Sequence, residues 1–156
     1  MAFSKQDIID GMRDKGVVPL FTHDNAKEAL EVVEASYKGG IRAFEFTNRR
    51  SNSFEVFKTL IAHRQGFPDL MLGIGTVMDA DTTRRFIDAG ADFIISPILK
   101  LEMADVCAKH DKAWIPGCAT LTEIVTAKDH GAAVIKVFRG SVLGPGFVSA
   151  ILPVVA

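Results

Sequence analysis

Six short apolar runs, each followed by an amphipathic segment of helical length, recur along this chain, and their repetition restricts the fold more than any other feature. The runs cover residues 17–21, 43–48, 71–76, 93–96, 113–115 and 134–138, and their starts lie 26, 28, 22, 20 and 21 residues apart. A parallel connection needs a dozen or more residues to return to the start of the next strand, so this alternation predicts parallel strands joined by helical crossovers. Ser4, with Asp7 three residues on, predicts a further helix over residues 4–15, ahead of the first strand. Gly39 and Gly40, Gly90 and Gly131 stand just before strands, where a left-handed residue closes the preceding helix.

Parallel α/β sheets are either open and doubly wound or closed into a barrel, and the second strand discriminates between them. Side chains alternate along a strand, so Phe44 and Phe46 share one face while Glu45, Thr47 and Arg49 share the other. A doubly wound sheet covers both faces with apolar helices and leaves that polar row unexplained. A barrel accommodates it: the phenylalanines pack outward on helices, and the polar row lines the interior near the mouth, where barrel active sites lie. The Gly-rich stretch GIGTVM lacks the third glycine and the lysine of nucleotide-binding loops. The expected fold is therefore α/β, a TIM (β/α)8 barrel of which six units are visible in one domain over residues 1–156. Two more units would bring it to a usual barrel size, about 200 to 250 residues. A six-strand sheet leaves its first and last strands as open edges. The reading is that units seven and eight are missing, with an engineered fragment or closure by another chain as alternatives.

Composition narrows the function class. The chain has 156 residues, 48% of them hydrophobic, with 18 basic and 19 acidic residues giving a formal charge of -1. Charges scattered so evenly offer no basic stripe to nucleic acid and no surface for anionic membranes. The first ten residues have no apolar run of signal-peptide length, and no stretch approaches the roughly 20 apolar residues of a membrane span, so a soluble, cytoplasmic protein is expected. Cys107 and Cys118 form no CxxC pair and have no histidines at ligand spacing, and they read as reduced core residues. His63, His110 and His130 fall near helix ends, on the face opposite a barrel's mouth, and suit helix C-termini rather than a metal site. His23 lies on the mouth side but alone, and carries no assigned role. No metal or cofactor is expected.

Lys136 stands within AAVIKVFRG, a run otherwise suited to a buried strand, and lysine is rarely buried without a partner or a task. It is either a snorkelling or ion-paired lysine, or a nucleophilic amine. To attack a carbonyl the amine must be neutral, and desolvation that brings its pKa from about 10.4 to roughly 7.5 raises the neutral fraction several hundredfold. Glu45 is the matching anomaly, a carboxylate flanked by phenylalanines. It serves either as an ion partner of Arg49 or Lys136, or as the proton carrier that imine chemistry requires. Arg49, four residues further on the same face, has the planar fork that binds a carboxylate in two places, although an exposed loop arginine fits equally. Thr76 ends the third strand, where its hydroxyl can hold a second carboxylate oxygen while the neighbouring glycines let a substrate approach the backbone.

The segments FEFTNR, GIGTV, ISP, WIPG and IKVF, in this order and spacing, closely resemble the 2-keto-3-deoxy-6-phosphogluconate aldolase and 4-hydroxy-2-oxoglutarate aldolase family, and the resemblance runs from Gly16 onward. It implies an eight-unit barrel, usually a homotrimer, that cleaves a 2-keto-4-hydroxy acid to pyruvate and an aldehyde through a Schiff base without metal. By the same resemblance Lys136 is the Schiff-base lysine, Glu45 the proton-transfer carboxylate, and Arg49 and Thr76 the residues that bind the pyruvate carboxylate. The chain departs from the family in carrying Arg139 and Gly140 where proline commonly follows the Lys-x-Phe triplet. That change alters the loop beside the lysine or adds a charge for a substrate oxyanion. The phosphate-binding glycines of the family belong to units seven and eight, so the sequence does not define the distal end of the substrate. Two other readings compete: a phosphate-sugar isomerase or decarboxylase on the same barrel, and a non-catalytic or truncated scaffold.

Overall fold

The computed structural model describes residues 3–155. Helix α1 (Lys5–Lys15) opens with the expected capping box, in which the Ser4 hydroxyl accepts from the Asp7 N–H and the Asp7 carboxylate accepts from the Ser4 N–H. It closes at Gly16 in the left-handed region, φ 65°. Strands β1 (Leu20–Phe21), β2 (Ala43–Thr47), β3 (Met71–Gly75), β4 (Phe93–Ile95) and β5 (Ala113–Ile115) form a parallel sheet in chain order. Helices α2 (Ala26–Lys38), α3 (Ser53–Ala62), α4 (Ala80–Asp88) and α5 (Leu101–Lys109) make the crossovers. Gly40, Gly90 and Gly131 take positive φ after α2, α4 and α6 (Leu121–Asp129), as the sequence requires of residues that end a helix and start a strand.

The first and last of the expected strands are markedly shorter in the structure, residues 20–21 of 17–21 and 136–137 of 134–138, and proline explains part of the first. β1 begins at Leu20 rather than Val17, since Pro19 has no N–H to donate, although its carbonyl accepts from Glu45 N at 2.9 Å. The fifth strand is interrupted at Pro116 and resumes as β6 (Gly117–Cys118), a break the sequence pattern did not reveal. β6 changes neighbour: it pairs in parallel with β7 (Lys136–Val137), with Gly117 opposite Lys136. Hydrogen bonds from Lys136 N to the Pro116 carbonyl (2.9 Å) and from Phe138 N to the Cys118 carbonyl (3.0 Å) fix that register. A Cβ on Gly117 would lie 2.4 Å from the Pro97 carbonyl group, so the bend at the end of β4 requires glycine there.

The two faces of the sheet build two separate cores. Phe44, Phe46, Leu72, Ile74, Ile94 and Trp114 face outward and pack with Val33, Phe57, Leu60, Phe86 and Met103 of the helices. Ala43, Met71, Phe93, Ile95, Ala113 and Ile115 face inward and meet Ile8 and Met12 of α1, which closes the N-terminal end of the strands. Burying a residue such as Phe46 or Leu72 is worth about 1.5–3 kcal/mol, so the outward cluster is the main source of cohesion. The final helix, α7 (Gly140–Val155), is broken at Gly144 (φ 67°) before Pro145; Phe147 and Ile151 pack inward while Val142, Leu152 and Val154 are exposed.

Candidate active site

Strands β2 and β7, and the segments that follow β2 and β3, carry the residues with chemistry. Glu45 sits in mid-β2 on the inward face and is 3% exposed. Its Oε1 lies 3.6 Å from Lys136 Nζ on β7, an ion pair rather than a hydrogen bond. The Lys136 side chain is 25% exposed, less enclosed than a central strand would make it, because β7 pairs over only two residues. Its ammonium lies 5.4 Å from the centre of the Phe138 ring. Burial pushes the Glu45 carboxyl above its ordinary value despite the opposing charges of Lys136 and Arg49. Below this pair the interior holds a cavity of about 240 Å³, lined by Met12, Val18, Leu20, Ile95, Ile115, Val134, Ile135, Glu45 and Lys136.

Arg49 and Thr76 meet at the mouth. The Arg49 Nε donates to Thr76 Oγ1 at 3.1 Å, and the guanidinium remains exposed. Thr76 has φ 58°, a left-handed conformation that a β-branched residue adopts only under constraint, and it ends β3 at Gly75. The loops beneath Arg49 are tied together: Asn52 Nδ2 donates to the Asp24 carbonyl (2.7 Å), and the hydroxyls of Thr22 and Ser53 donate to the Thr47 carbonyl. Arg50, by contrast, faces outward and pairs with Asp24 at 3.7 Å.

The glycines of GIGTV do not open the backbone to a substrate, contrary to the sequence expectation. A Cβ on Gly73 would lie 2.1 Å from the Phe93 ring, and one on Gly75 would lie 1.7 Å from Glu45 Oε1. Both glycines face inward beside β2 and β4, so the space they leave is filled by the neighbouring strands' side chains. Gly75 thus determines where the Glu45 carboxylate can rest. Sequence pattern placed Thr47 in the polar row without giving it a task, and in the structure it is fully buried. The signal for both residues was the alternation along β2 and β3, readable only once their register, Thr47 opposite Gly75, was known.

The histidines lie where helix ends place them. His63, His110 and His130 follow α3, α5 and α6 as C-caps, and the rings of His63 and His130 bond to carbonyls of their own helices. His23 stacks on Phe21 and reaches Glu28 at 3.3 Å. Among the described residues no group of three or more His, Cys, Asp or Glu is arranged to hold a metal ion. Cys107 and Cys118 are free and buried, with burial pushing their thiols up to about 12 and about 11. Arg139, the residue in place of the expected proline, is exposed; its carbonyl accepts from Val142 N and Leu143 N and so starts α7.

Residues 8–154 match the family model described as KDPG and KHG aldolase. A curated relative, the 2-dehydro-3-deoxy-phosphogluconate aldolase of Treponema pallidum (strain Nichols), is 33% identical over 137 residues, 88% of this chain and 64% of that protein. The chain thus spans less than two thirds of that relative's length. Among solved structures, the 2-keto-3-deoxy-6-phosphogluconate aldolase of Zymomonas mobilis ZM4 with 3-phosphoglycerate superimposes with a TM-score of 0.82 at 26% identity, over 95% of this chain and 70% of that one. The KDPG aldolase of Legionella pneumophila, with pyruvate captured at low pH as a covalent carbinolamine, gives 0.76 at 27% identity, over 87% and 66%.

Proposed function

The chain belongs to the KDPG and KHG aldolase family, and on that premise we propose that it is a class I aldolase cleaving a 2-keto-4-hydroxy acid to pyruvate and an aldehyde. The observation that carries this reading is the buried Glu45 carboxylate 3.6 Å from the Lys136 amine, beside the Arg49–Thr76 contact. Lys136 attacks the keto carbon, and the carbinolamine loses water with a proton from Glu45 to give an imine. Glu45 then takes the proton of the 4-hydroxyl, the bond between carbons 3 and 4 breaks, and its electrons enter the imine as an enamine. Protonation at carbon 3 and hydrolysis release pyruvate and restore the amine. Arg49 and Thr76 hold the substrate carboxylate, which fixes the keto carbon over the amine. The route uses protein side chains alone, with no metal and no cofactor.

The carbinolamine trapped in the Legionella relative supports the covalent step. Candidate substrates are 2-keto-3-deoxy-6-phosphogluconate and 4-hydroxy-2-oxoglutarate, after the names of relatives. We read residues 1–156 as one domain, units one to six of an eight-unit barrel, working as a homotrimer in the cytoplasm. Two buried, free thiols fit a reducing compartment, and no helix of the described residues is long and apolar enough to cross a membrane. Borohydride reduction in the presence of pyruvate tests the mechanism: a stable adduct is expected on Lys136, and none in K136A. A folded chain that gives no adduct overturns the aldolase reading, and also separates it from an isomerase or decarboxylase in which Lys136 acts only as a charge. A coupled assay of pyruvate release with each candidate substrate tests activity, and sedimentation tests the trimer.

A further inference from the structure

We infer that the cavity beside Lys136 and Glu45 takes the alkyl chain of a 2-keto acid, so that straight-chain 2-keto acids of about four to six carbons can stand in for pyruvate as the enamine-forming partner; the inference rests on the Schiff-base reading above. The cavity is about 240 Å³, and Glu45 and Lys136 are its only polar lining side chains among the described residues. The rest of its wall is aliphatic, with Val18 and Leu20 on the side of the first strand, Ile95 and Ile115 at the ends of β4 and β5, and Val134 just ahead of β7. Leu20 stands in register with Glu45 and so shares its face, yet it stays 48% exposed. An inward leucine that exposed borders open space instead of packed core. An apolar cavity of about 150 Å³ takes up benzene, so this one has room for a chain of several carbons.

Pyruvate leaves most of this space unused, because its carbon 3 is a methyl group. Lys136 and Glu45 both line the cavity, so an imine on the lysine, with its carbon 3 next to the carboxylate, sets one substituent of carbon 3 at the cavity's entrance. A hydroxyl or phosphate entering there would lose its water and gain no partner, whereas an alkyl chain passes from water to aliphatic surroundings. The bond to the aldehyde takes another position on carbon 3 and faces the mouth, where a polar chain stays in water. The chemistry is unchanged by the chain. Lys136 forms the imine at carbon 2, the Glu45 carboxylate removes a proton from carbon 3, the C–H electrons become the double bond between carbons 2 and 3, and the C=N π electrons return to nitrogen as the enamine. Attack of carbon 3 on an aldehyde forms the carbon–carbon bond while nitrogen's electrons restore the imine and the aldehyde oxygen takes the proton from Glu45. Hydrolysis then releases a 3-alkyl-2-keto-4-hydroxy acid.

Borohydride trapping with pyruvate, 2-oxobutanoate, 2-oxopentanoate and 2-oxohexanoate tests this in the unaltered chain and in L20F and V134F, which fill the cavity from two walls. The concentration for half-maximal trapping, taken relative to pyruvate in the same protein, is expected to fall about two- to fourfold per added methylene in the unaltered chain, full burial of a methylene accounting for about fourfold. In L20F or V134F, whichever circular dichroism shows to be folded, that trend should be flat or reversed. In deuterated water the unaltered chain should place deuterium on carbon 3 of 2-oxohexanoate. Half-maximal concentrations that stay level or rise with chain length in the unaltered chain, a trend kept by a folded cavity-filling variant, or an adduct of 2-oxohexanoate without deuterium at carbon 3 would each overturn this inference and leave the Schiff-base reading standing. So would a trend that disappears as protein concentration is raised, the mark of a second copy's side chains filling the cavity. No adduct with any of these acids overturns the Schiff-base reading and this inference with it.

Discussion

Lys136 Nζ and Glu45 Oε1 lie 3.6 Å apart although their strands are not neighbours: the contact crosses the interior, from β7 to β2. The carboxylate is almost fully enclosed, whereas the lysine keeps a quarter of its side chain in solvent. Enclosure sets the behaviour of Glu45 with pH, because burial penalises its charge more than its partners relieve it.

Since burial holds Glu45 above its ordinary 4.5, the folded protein retains a proton that the unfolded chain has released. Stability therefore falls as pH rises from 4.5 through the raised value. E45Q removes this linkage. Its denaturation midpoint relative to the parent should be higher at neutral pH than at about pH 4, and catalysis should drop by about 10²–10⁴-fold. Urea titrations across pH check the first point; a gap independent of pH contradicts it.

Gly75→Ala places a methyl 1.7 Å from Glu45 Oε1 and 2.5 Å from its carboxyl carbon. The carboxylate must turn away, at an overpacking cost of about 1–3 kcal/mol. Trapping of pyruvate should slow by at least tenfold while circular dichroism stays native, a loss that a displaced proton carrier explains.

Arg49→Ala removes the exposed fork at the mouth but leaves Lys136 and Glu45 in place. The pyruvate concentration for half-maximal trapping should rise about 10- to 100-fold, the effect of losing a hydrogen bond to a charged group, with the limiting rate little changed. R49K should recover only part of this, as lysine lacks the planar geometry. Identical half-maximal concentrations would remove Arg49 from the carboxylate site.

Asp92 is buried between β3 and β4, where it accepts from Leu72 N at 2.8 Å and pairs with Arg64. Asp92→Ala leaves the Leu72 N–H and a half-buried guanidinium without their acceptor. A loss of about 3 kcal/mol is expected in chemical denaturation, with trapping unaffected in the folded fraction, because the pair stands at the end of the strands away from the mouth. A change in trapping without a loss of stability would contradict that separation.

The sequence by itself determined the alternation of strands and helices, the outward phenylalanines of β2, the capping box at Ser4 and the unusual placement of Lys136 and Glu45. These are properties of period and residue type, and both are local. Tertiary structure decided what depends on register: that Pro116 splits the fifth strand and hands its second half to β7, that Thr76 turns left-handed to meet Arg49, and that the space at Gly73 and Gly75 belongs to Phe93 and Glu45. Clearance between side chains on different strands is fixed by which residues stand opposite one another, and that pairing is absent from any local pattern. For this reason the reactive pair was legible as two separate oddities, and only the fold brought the carboxylate and the amine to one cavity.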